Sequence, residues 1–132
     1  MTTFAVRVYY EDTDAGGVVY YANYLKYLER GRTEFLRALG FEQRQLAAAT
    51  GLAFAVRSLS AEYLKPAVLD DELAVVTQVE ELGRAQVTFA QSILRADEPL
   101  LTARVRVACL DLARGRAAAM PKPLYEKLKE MI

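Results

Sequence analysis

A single long amphipathic helix followed by four strand-like segments constrains the fold of this chain more than any other feature. Between about residues 21 and 39, apolar side chains recur mostly every three or four positions, and Gly40 follows the last of them as a stop signal. The later runs 52–64, 72–82, 84–96 and 100–112 are rich in β-formers and are separated by Pro66, Asp70-Asp71, Gly83 and Glu98-Pro99. This order predicts an α+β domain in which an antiparallel sheet wraps around one helix.

The remaining segments complete one domain spanning residues 1–132. Residues 3–10 alternate as in a half-buried strand, 42–50 predict a short helix closed by Gly51, and 121–131 predict a terminal helix. Gly31, in the middle of the long helix, costs about 1 kcal/mol relative to alanine and is tolerable if a neighbouring strand comes close. A curled sheet keeps an open edge and an uncovered face, so we expect a second copy to cover them.

Composition excludes several classes of function. Lys plus Arg and Asp plus Glu both total 17, so no net charge points to a nucleic-acid or membrane partner. The hydrophobic share of 53% also favours a homo-oligomer that buries part of the apolar surface. The chain contains no histidine, which excludes Ser-His-Asp and Cys-His nucleophiles and histidine metal sites. A catalyst must use carboxylates, hydroxyls or backbone groups.

The cellular setting is predicted from one cysteine and the absence of a long apolar run. Cys109 lies in an alternating apolar strand, where a core role is expected, and it has no cysteine partner for a disulfide. The N-terminus shows neither a signal peptide nor a membrane-spanning stretch. We therefore expect a cytoplasmic protein without membrane insertion.

The acidic, glycine-containing loop before the helix is the place where chemistry is expected. A carboxylate at a helix start lies beside unpaired backbone N–H groups and the positive end of the helix dipole, next to a ready oxyanion site. Asp14 is the candidate base or nucleophile; its alternative role is a helix N-cap or a loop hydrogen-bond acceptor. Asp12 is expected to brace the loop through backbone N–H groups. The residues predicted to contact substrate here are Gly16, Gly17, Val18 and Tyr20.

Metal and nucleotide loops do not fit the same segment. A calcium loop would need an oxygen ligand at Gly16 and a glutamate at Asn23, and both conditions fail. Gly16-Gly17 also lacks the spacing of a dinucleotide or phosphate-binding loop, and a tight turn beside a substrate is the better interpretation. The segment is therefore predicted to be neither a calcium-binding loop nor a nucleotide-binding loop.

Aromatic and basic residues supply further candidates, each with a plainer alternative. Tyr24 and Tyr27 are expected to pack the helix on the sheet, whereas Tyr20 and Tyr21 either pack there or line a pocket. If the substrate carries phosphate groups, fixed positive charge is needed to bind them. Arg84 at a strand turn is the first candidate for that role. Lys65 and Arg57 are weaker candidates for phosphate binding, with a plain surface charge as the alternative. Glu29 and Arg32 are expected at the surface or an interface.

The segment Tyr-Glu-Asp-Thr-Asp-Ala-Gly-Gly-Val-Val-Tyr at 10–20, followed by Asn23-Tyr24 and Glu29-Arg30, resembles the signature of hotdog-fold thioesterases of the 4-hydroxybenzoyl-CoA thioesterase family. It is most similar to the bacterial acyl-CoA thioesterase branch associated with the Tol-Pal system, and 63–67 and 82–84 also match family positions. The resemblance implies a dimer that pairs into a homotetramer, with active sites at the subunit interface and no metal or redox cofactor. It implies Asp14 as the catalytic aspartate and the Tyr21 backbone N–H as the group that polarises the thioester carbonyl.

One departure concerns the substrate. The Tol-Pal-associated branch commonly has histidine where this chain has Tyr21, while the 4-hydroxybenzoyl branch can carry an aromatic residue there. The expected activity is hydrolysis of acyl-CoA to free acid and CoA, by a general-base or a mixed-anhydride route. Two alternatives remain open: hydrolysis of acyl carrier protein thioesters, and noncatalytic binding of acyl thioesters by a scaffold of the same fold.

Overall fold

A computed structural model describes residues 1–132 and confirms the α+β class. Its helices and strands, in chain order, are β1 Thr2–Arg7, α1 Asn23–Ala38, α2 Gln43–Thr50, β2 Leu52–Tyr63, β3 Glu72–Leu82, β4 Gln86–Arg95, β5 Glu98–Asp111, β6 Arg116–Ala117 and α3 Lys122–Lys129. A short 3₁₀ turn at Tyr10–Asp12 follows β1 and, with the two-residue β6, was not predicted. No helix is both long and apolar enough to cross a membrane.

The strands form one antiparallel sheet in the order β1-β3-β4-β5-β2, with β6 attached to β5. Helix α1 packs against β3 and β1, and the core lies between this helix and the inner face of the sheet. Alternate residues of β5 are buried because they point to that face, as in Val105, Val107 and Cys109. The predicted core position of Cys109 is confirmed, since its side chain is fully buried.

One predicted strand boundary is wrong. Glu98-Pro99 was expected to separate two strands, yet both residues belong to β5, and the turn falls at Ala96-Asp97 with Ala96 at φ +53°. Pro99 is tolerated because it faces Leu94 where the register between β4 and β5 shifts, and a bulge leaves ladder hydrogen bonds unmade.

Gly31 allows α1 to approach the sheet closely. A Cβ at this position would lie 2.6 Å from Val75 Cγ1 and 3.1 Å from Thr77 Oγ1, both on β3. The structure therefore confirms the prediction that a neighbouring strand lies close to this glycine.

Replacing Gly31 with alanine should destabilise the chain by up to about 2 kcal/mol, because overpacking costs about 1–3 kcal/mol and the gain in helix propensity is only about 1 kcal/mol. Urea unfolding measures the difference. Gly83→Ala is the matched control, since its Cβ would meet nothing closer than 3.5 Å. Equal midpoints for the two variants would contradict the close approach.

Strand β2 is an edge strand whose inner face is not covered by α1. Its side chains opposite buried residues of β5 share that face, as the pairs Val56↔Val107, Leu59↔Val105 and Tyr63↔Leu101 show. Nevertheless Val56 is 51% exposed, Leu59 39% and Tyr63 47%. Apolar side chains on a core face that stay open in one chain are typical of a surface that a partner covers.

Candidate active site

The loop from Thr13 to Val19 presents Asp14 on a tight, hydrogen-bonded turn. Thr13 and Val19 form an isolated β-bridge, and the Asp14 N–H donates to the Val18 carbonyl at 2.9 Å. The Asp14 Oδ1 accepts the Gly16 N–H at 2.8 Å, an Asx turn. Gly17 has φ +80°, a value that favours glycine. The carboxylate is therefore exposed and held in a defined orientation.

Asp14 does not cap the helix, which corrects the expectation that the carboxylate lies at a helix start. Helix α1 begins at Asn23 with Ala22 as its cap residue, and no first-turn N–H donates to Asp14. A helix dipole acts mainly within the first turn. Orientation of this carboxylate comes instead from the Gly16 N–H, so the loop acceptor role is the one observed.

Asp12 joins the loop to both neighbouring segments. Its Oδ2 accepts the Tyr9 N–H at 2.8 Å and its Oδ1 accepts Asn23 Nδ2 at 3.1 Å. Its carbonyl also accepts the Tyr20 N–H at 3.0 Å. These contacts fix the loop relative to β1 and to the first residue of α1.

Tyr21 lies in the turn just before α1 and has a free backbone donor. The Tyr21 N–H makes no hydrogen bond within the chain, while the Tyr21 carbonyl accepts the Tyr63 hydroxyl at 2.7 Å. A free N–H beside an exposed carboxylate loop is available to a ligand oxygen.

Four tyrosines surround this turn. Tyr24 is only 3% exposed, accepts the Ala67 N–H on its hydroxyl, and packs edge-on against Tyr63, so its predicted packing role is confirmed. Tyr20 and Tyr21 are exposed, with ring centroids 4.9 Å apart. An open groove of about 260 Å³ adjoins them and is lined by Val19, Tyr21, Tyr24, Tyr63, Leu64, Lys65 and Pro66.

Tyr27 is fully buried on the core side of α1, so its predicted packing role is also confirmed. Its hydroxyl has no hydrogen-bond partner. Burial raises the pKa of Tyr27, and the negative charge of Asp12 adds to this effect. The hydroxyl therefore stays protonated beneath the loop.

The two leading candidates for phosphate binding lie at opposite ends of the sheet. The Lys65 backbone N–H donates to the Leu100 carbonyl, two residues after the start of β5, and the Lys65 ammonium pairs with Glu98. Arg84 is exposed in the β3–β4 turn, beside Ala85, whose carbonyl accepts the Cys109 N–H. The span from residue 100 to 109 is about 30 Å of strand, at roughly 3.3 Å per residue. Within one chain, Arg84 is thus remote from the Tyr21–Tyr63 contact.

A second, more enclosed cavity lies under the other half of α1. It measures about 230 Å³ and is lined mainly by apolar side chains of α1, β2, β4, β5 and α3. Arg32 lines this cavity, hereafter the Arg32 cavity, and is only 9% exposed, which corrects the expectation of a surface position; an interface position stays a prediction. Glu29 is exposed, as expected, and also lines the cavity.

Sequence reasoning missed Asn23 and Tyr63 as partners of the loop. Asn23 bonds to Asp12 across eleven residues, and Tyr63 to Tyr21 across forty-two. Periodicity within a segment carries no signal for such pairs. The run of tyrosines before α1 is the one hint that a further aromatic residue packs there.

Tyr63→Phe should lower kcat for thioester hydrolysis by about five- to tenfold, because the Tyr21 peptide loses the hydroxyl that orients it, a bond of about 1 kcal/mol. Steady-state kinetics measure the effect. Tyr125→Phe, on α3 and away from the loop, is the control. An unchanged kcat with a raised KM would show that Tyr63 contacts substrate and does not orient Tyr21.

The side chains that could bind a metal ion are not clustered in this chain. No group of three or more aspartate, glutamate or cysteine side chains is placed to hold a metal ion. The site consists of a carboxylate, backbone donors and aromatic walls.

Comparison with known proteins defines the class. The model of the thioesterase-like superfamily matches residues 8–128, and the chain belongs to this superfamily. A probable thioesterase from Bartonella henselae superimposes with a TM-score of 0.87 at 38% identity, covering 91% of this chain and 98% of that one. The antiparallel sheet and its single long helix are accordingly a hotdog fold, as predicted.

Two curated relatives narrow the class further. The chain is 50% identical over 120 residues to the acyl-CoA thioesterase YbgC of Haemophilus influenzae, covering 91% of this chain and 88% of that protein. It is 44% identical over 126 residues to the acyl-CoA thioester hydrolase YbgC of Escherichia coli, covering 95% and 93%. This chain is therefore a thioester hydrolase of the same family.

Proposed function

We propose that the chain hydrolyses acyl-CoA thioesters to free acid and CoA, with Asp14 as general base or nucleophile. The proposal is supported by the exposed Asp14 carboxylate, which an Asx turn orients, together with the free Tyr21 N–H in the turn that follows this loop. The names of the curated relatives support acyl-CoA as the substrate class.

The chemistry needs no histidine. A thioester carbonyl is already electrophilic and a thiolate is a good leaving group, so a carboxylate that activates water or attacks directly suffices when donors stabilise the oxyanion. The Tyr21 N–H is the proposed donor to the carbonyl oxygen. Gly16, Gly17, Val18 and Tyr20 shape the approach to Asp14, and Asp12 keeps the loop in place.

A complete site requires two chains. An isologous contact between two β2 edges runs antiparallel, which brings the Tyr63 end of one strand beside the Phe54 end of its partner. The exposed inner-face residues Val56, Leu59 and Tyr63 would then be covered. The Asp14 loop of one chain would face the Arg32 cavity and the Arg84 turn of the other. Further pairing into a tetramer stays a prediction.

Arg84 is the proposed donor to the phosphates of CoA in this two-chain site; Lys65 is weaker because Glu98 already neutralises it. Arg84→Ala should raise KM for acyl-CoA about tenfold, the loss of one charge-assisted bond, and leave hydrolysis of the matching N-acetylcysteamine thioester unchanged. Arg7→Ala, on the far edge strand β1, is the control. Equal losses on both substrates would refute phosphate binding.

Release of free thiol from a series of acyl-CoA and acyl carrier protein thioesters tests the proposed activity. We expect faster release from the CoA series. Faster release from the acyl carrier protein series would show that the natural substrate is an acyl carrier protein thioester. Tight binding of both series without thiol release would show a noncatalytic scaffold.

A further inference from the structure

The Arg32 cavity contains a buried cation that the reaction described above does not use. Its walls are mainly apolar, with Phe54 and Val56 of β2 and Val87 and Phe89 of β4 among them. Arg32 brings the only positive charge to the lining. Its burial lowers the pKa of the guanidinium, although the group stays protonated, as arginine does in proteins.

One edge of the guanidinium is already bonded. Arg32 Nη1 donates to Gln91 Oε1 at 3.0 Å. The amide nitrogen of Gln91 donates in turn to Thr77 Oγ1 at 2.9 Å and to the Leu28 carbonyl at 3.0 Å. All the hydrogen-bonding groups of this amide are used, so Gln91 holds Arg32 in a fixed orientation.

The other edge has no acceptor in the chain. Neither Nε nor Nη2 donates a hydrogen bond, and no carboxylate lies within 4.0 Å of the guanidinium. Gln43, which also lines the cavity, donates from Nε2 to Thr33 Oγ1 and makes no hydrogen bond with Arg32. Neither nitrogen is among the fully enclosed polar atoms that lack a partner, so the free edge of the guanidinium is open to the cavity and can donate to a ligand oxygen.

We propose that this cavity binds the distal carboxylate of the acyl group, with Arg32 donating to it from Nε and Nη2. The parallel donors of that edge match a carboxylate in bidentate geometry. The preferred substrates are then monothioesters of short dicarboxylic acids. This inference rests on the proposed function, because the thioester end of such a substrate lies at the Asp14 loop of the partner chain.

The size and charge of the cavity fit this class. A volume of 230 Å³ equals the liquid volume of roughly seven or eight water molecules at about 30 Å³ each, which leaves room for a short carboxylate-bearing chain. The exposed Glu29 opposes a carboxylate but is screened by solvent, whereas Arg32 is only 9% exposed and its charge is screened less. Removal of the Glu29 charge should therefore strengthen the preference for acyl groups that end in a carboxylate.

The test compares kcat/KM for glutaryl-CoA with that for 5-methylhexanoyl-CoA, in which an isopropyl group replaces the carboxylate. The parent should favour glutaryl-CoA at least about tenfold. Arg32→Met should lower the ratio by at least about 30-fold, because one partner of a desolvated charge pair is removed. Glu29→Gln should raise the ratio several-fold. Arg30→Met, on the exposed side of α1, should leave it unchanged.

Several outcomes would overturn the inference. One is a parent preference for 5-methylhexanoyl-CoA over glutaryl-CoA. Another is an equal fall of kcat/KM for both substrates in Arg32→Met, because Arg32 would then only support Gln91. If Arg32→Met fails to fold, Arg32→Lys and Glu29→Gln decide by the same ratio. Calorimetric binding of both thioesters to the Asp14→Asn chain measures the preference without turnover, so a failure of catalysis is distinguishable from a failure of recognition.

Discussion

Asp14→Asn should lower kcat/KM for acyl-CoA hydrolysis by at least about 100-fold, the usual range for removing a general base, and by more if the carboxylate is the nucleophile. The amide keeps the oxygen that accepts the Gly16 N–H, so the Asx turn and the fold are expected to survive. The change removes only the charge and basicity of the group. Thiol release under steady-state conditions measures it.

The control for this variant is Asp97→Asn, an exposed carboxylate in the turn between β4 and β5. It should retain full activity and the parent unfolding temperature. Hydrolysis within a few-fold of the parent in Asp14→Asn would refute the catalytic assignment. A large increase in KM with kcat retained would instead make Asp14 a substrate-binding residue.

Leu59→Lys should convert the protein to monomers and abolish most of its activity. Leu59 lies near the middle of β2, so a two-fold contact along this strand places it close to its own copy. Two ammonium groups in an apolar contact repel each other and are desolvated, which together cost several kcal/mol. Because the proposed site combines the Asp14 loop with another chain's cavity, loss of the partner removes the site.

Sedimentation velocity and the thiol assay at matched concentrations measure this second effect. Leu112→Lys, an exposed leucine beyond the end of β5, is the control and should remain an active oligomer. A parent protein that sediments as a monomer, or a Leu59→Lys monomer with full activity, would contradict the two-chain site.

The fold was largely predictable because its elements carry strong local periodicity. The pattern at 21–39 predicted α1 to within two residues at its start and one at its end, and Gly40, at φ +93°, follows the helix as expected. The error at Glu98-Pro99 arose because a proline in a bulge depends on strand register, which the local sequence does not show.

The candidate site was predictable only in part. The motif identified the Asp14 loop, but not that the bridge between Thr13 and Val19 separates it from the helix start. Arg32 occupies a helix position consistent with a surface charge, and only its tertiary partner Gln91, fifty-nine residues away, explains its burial. Such long-range polar pairs lie beyond any local pattern.

Mixing two variants that are each expected to be inactive tests most directly the proposal that two chains build each Asp14 site. Asp14→Asn removes the carboxylate, and Thr33→Trp fills the Arg32 cavity without touching the loop. In a heterodimer, a site made from two chains carries either both defects or neither. We expect subunit exchange to restore activity toward one quarter of the parent, since half of the dimers are mixed and each mixed dimer has one intact site. No recovery, with heterodimers present by native mass spectrometry, would contradict the proposal.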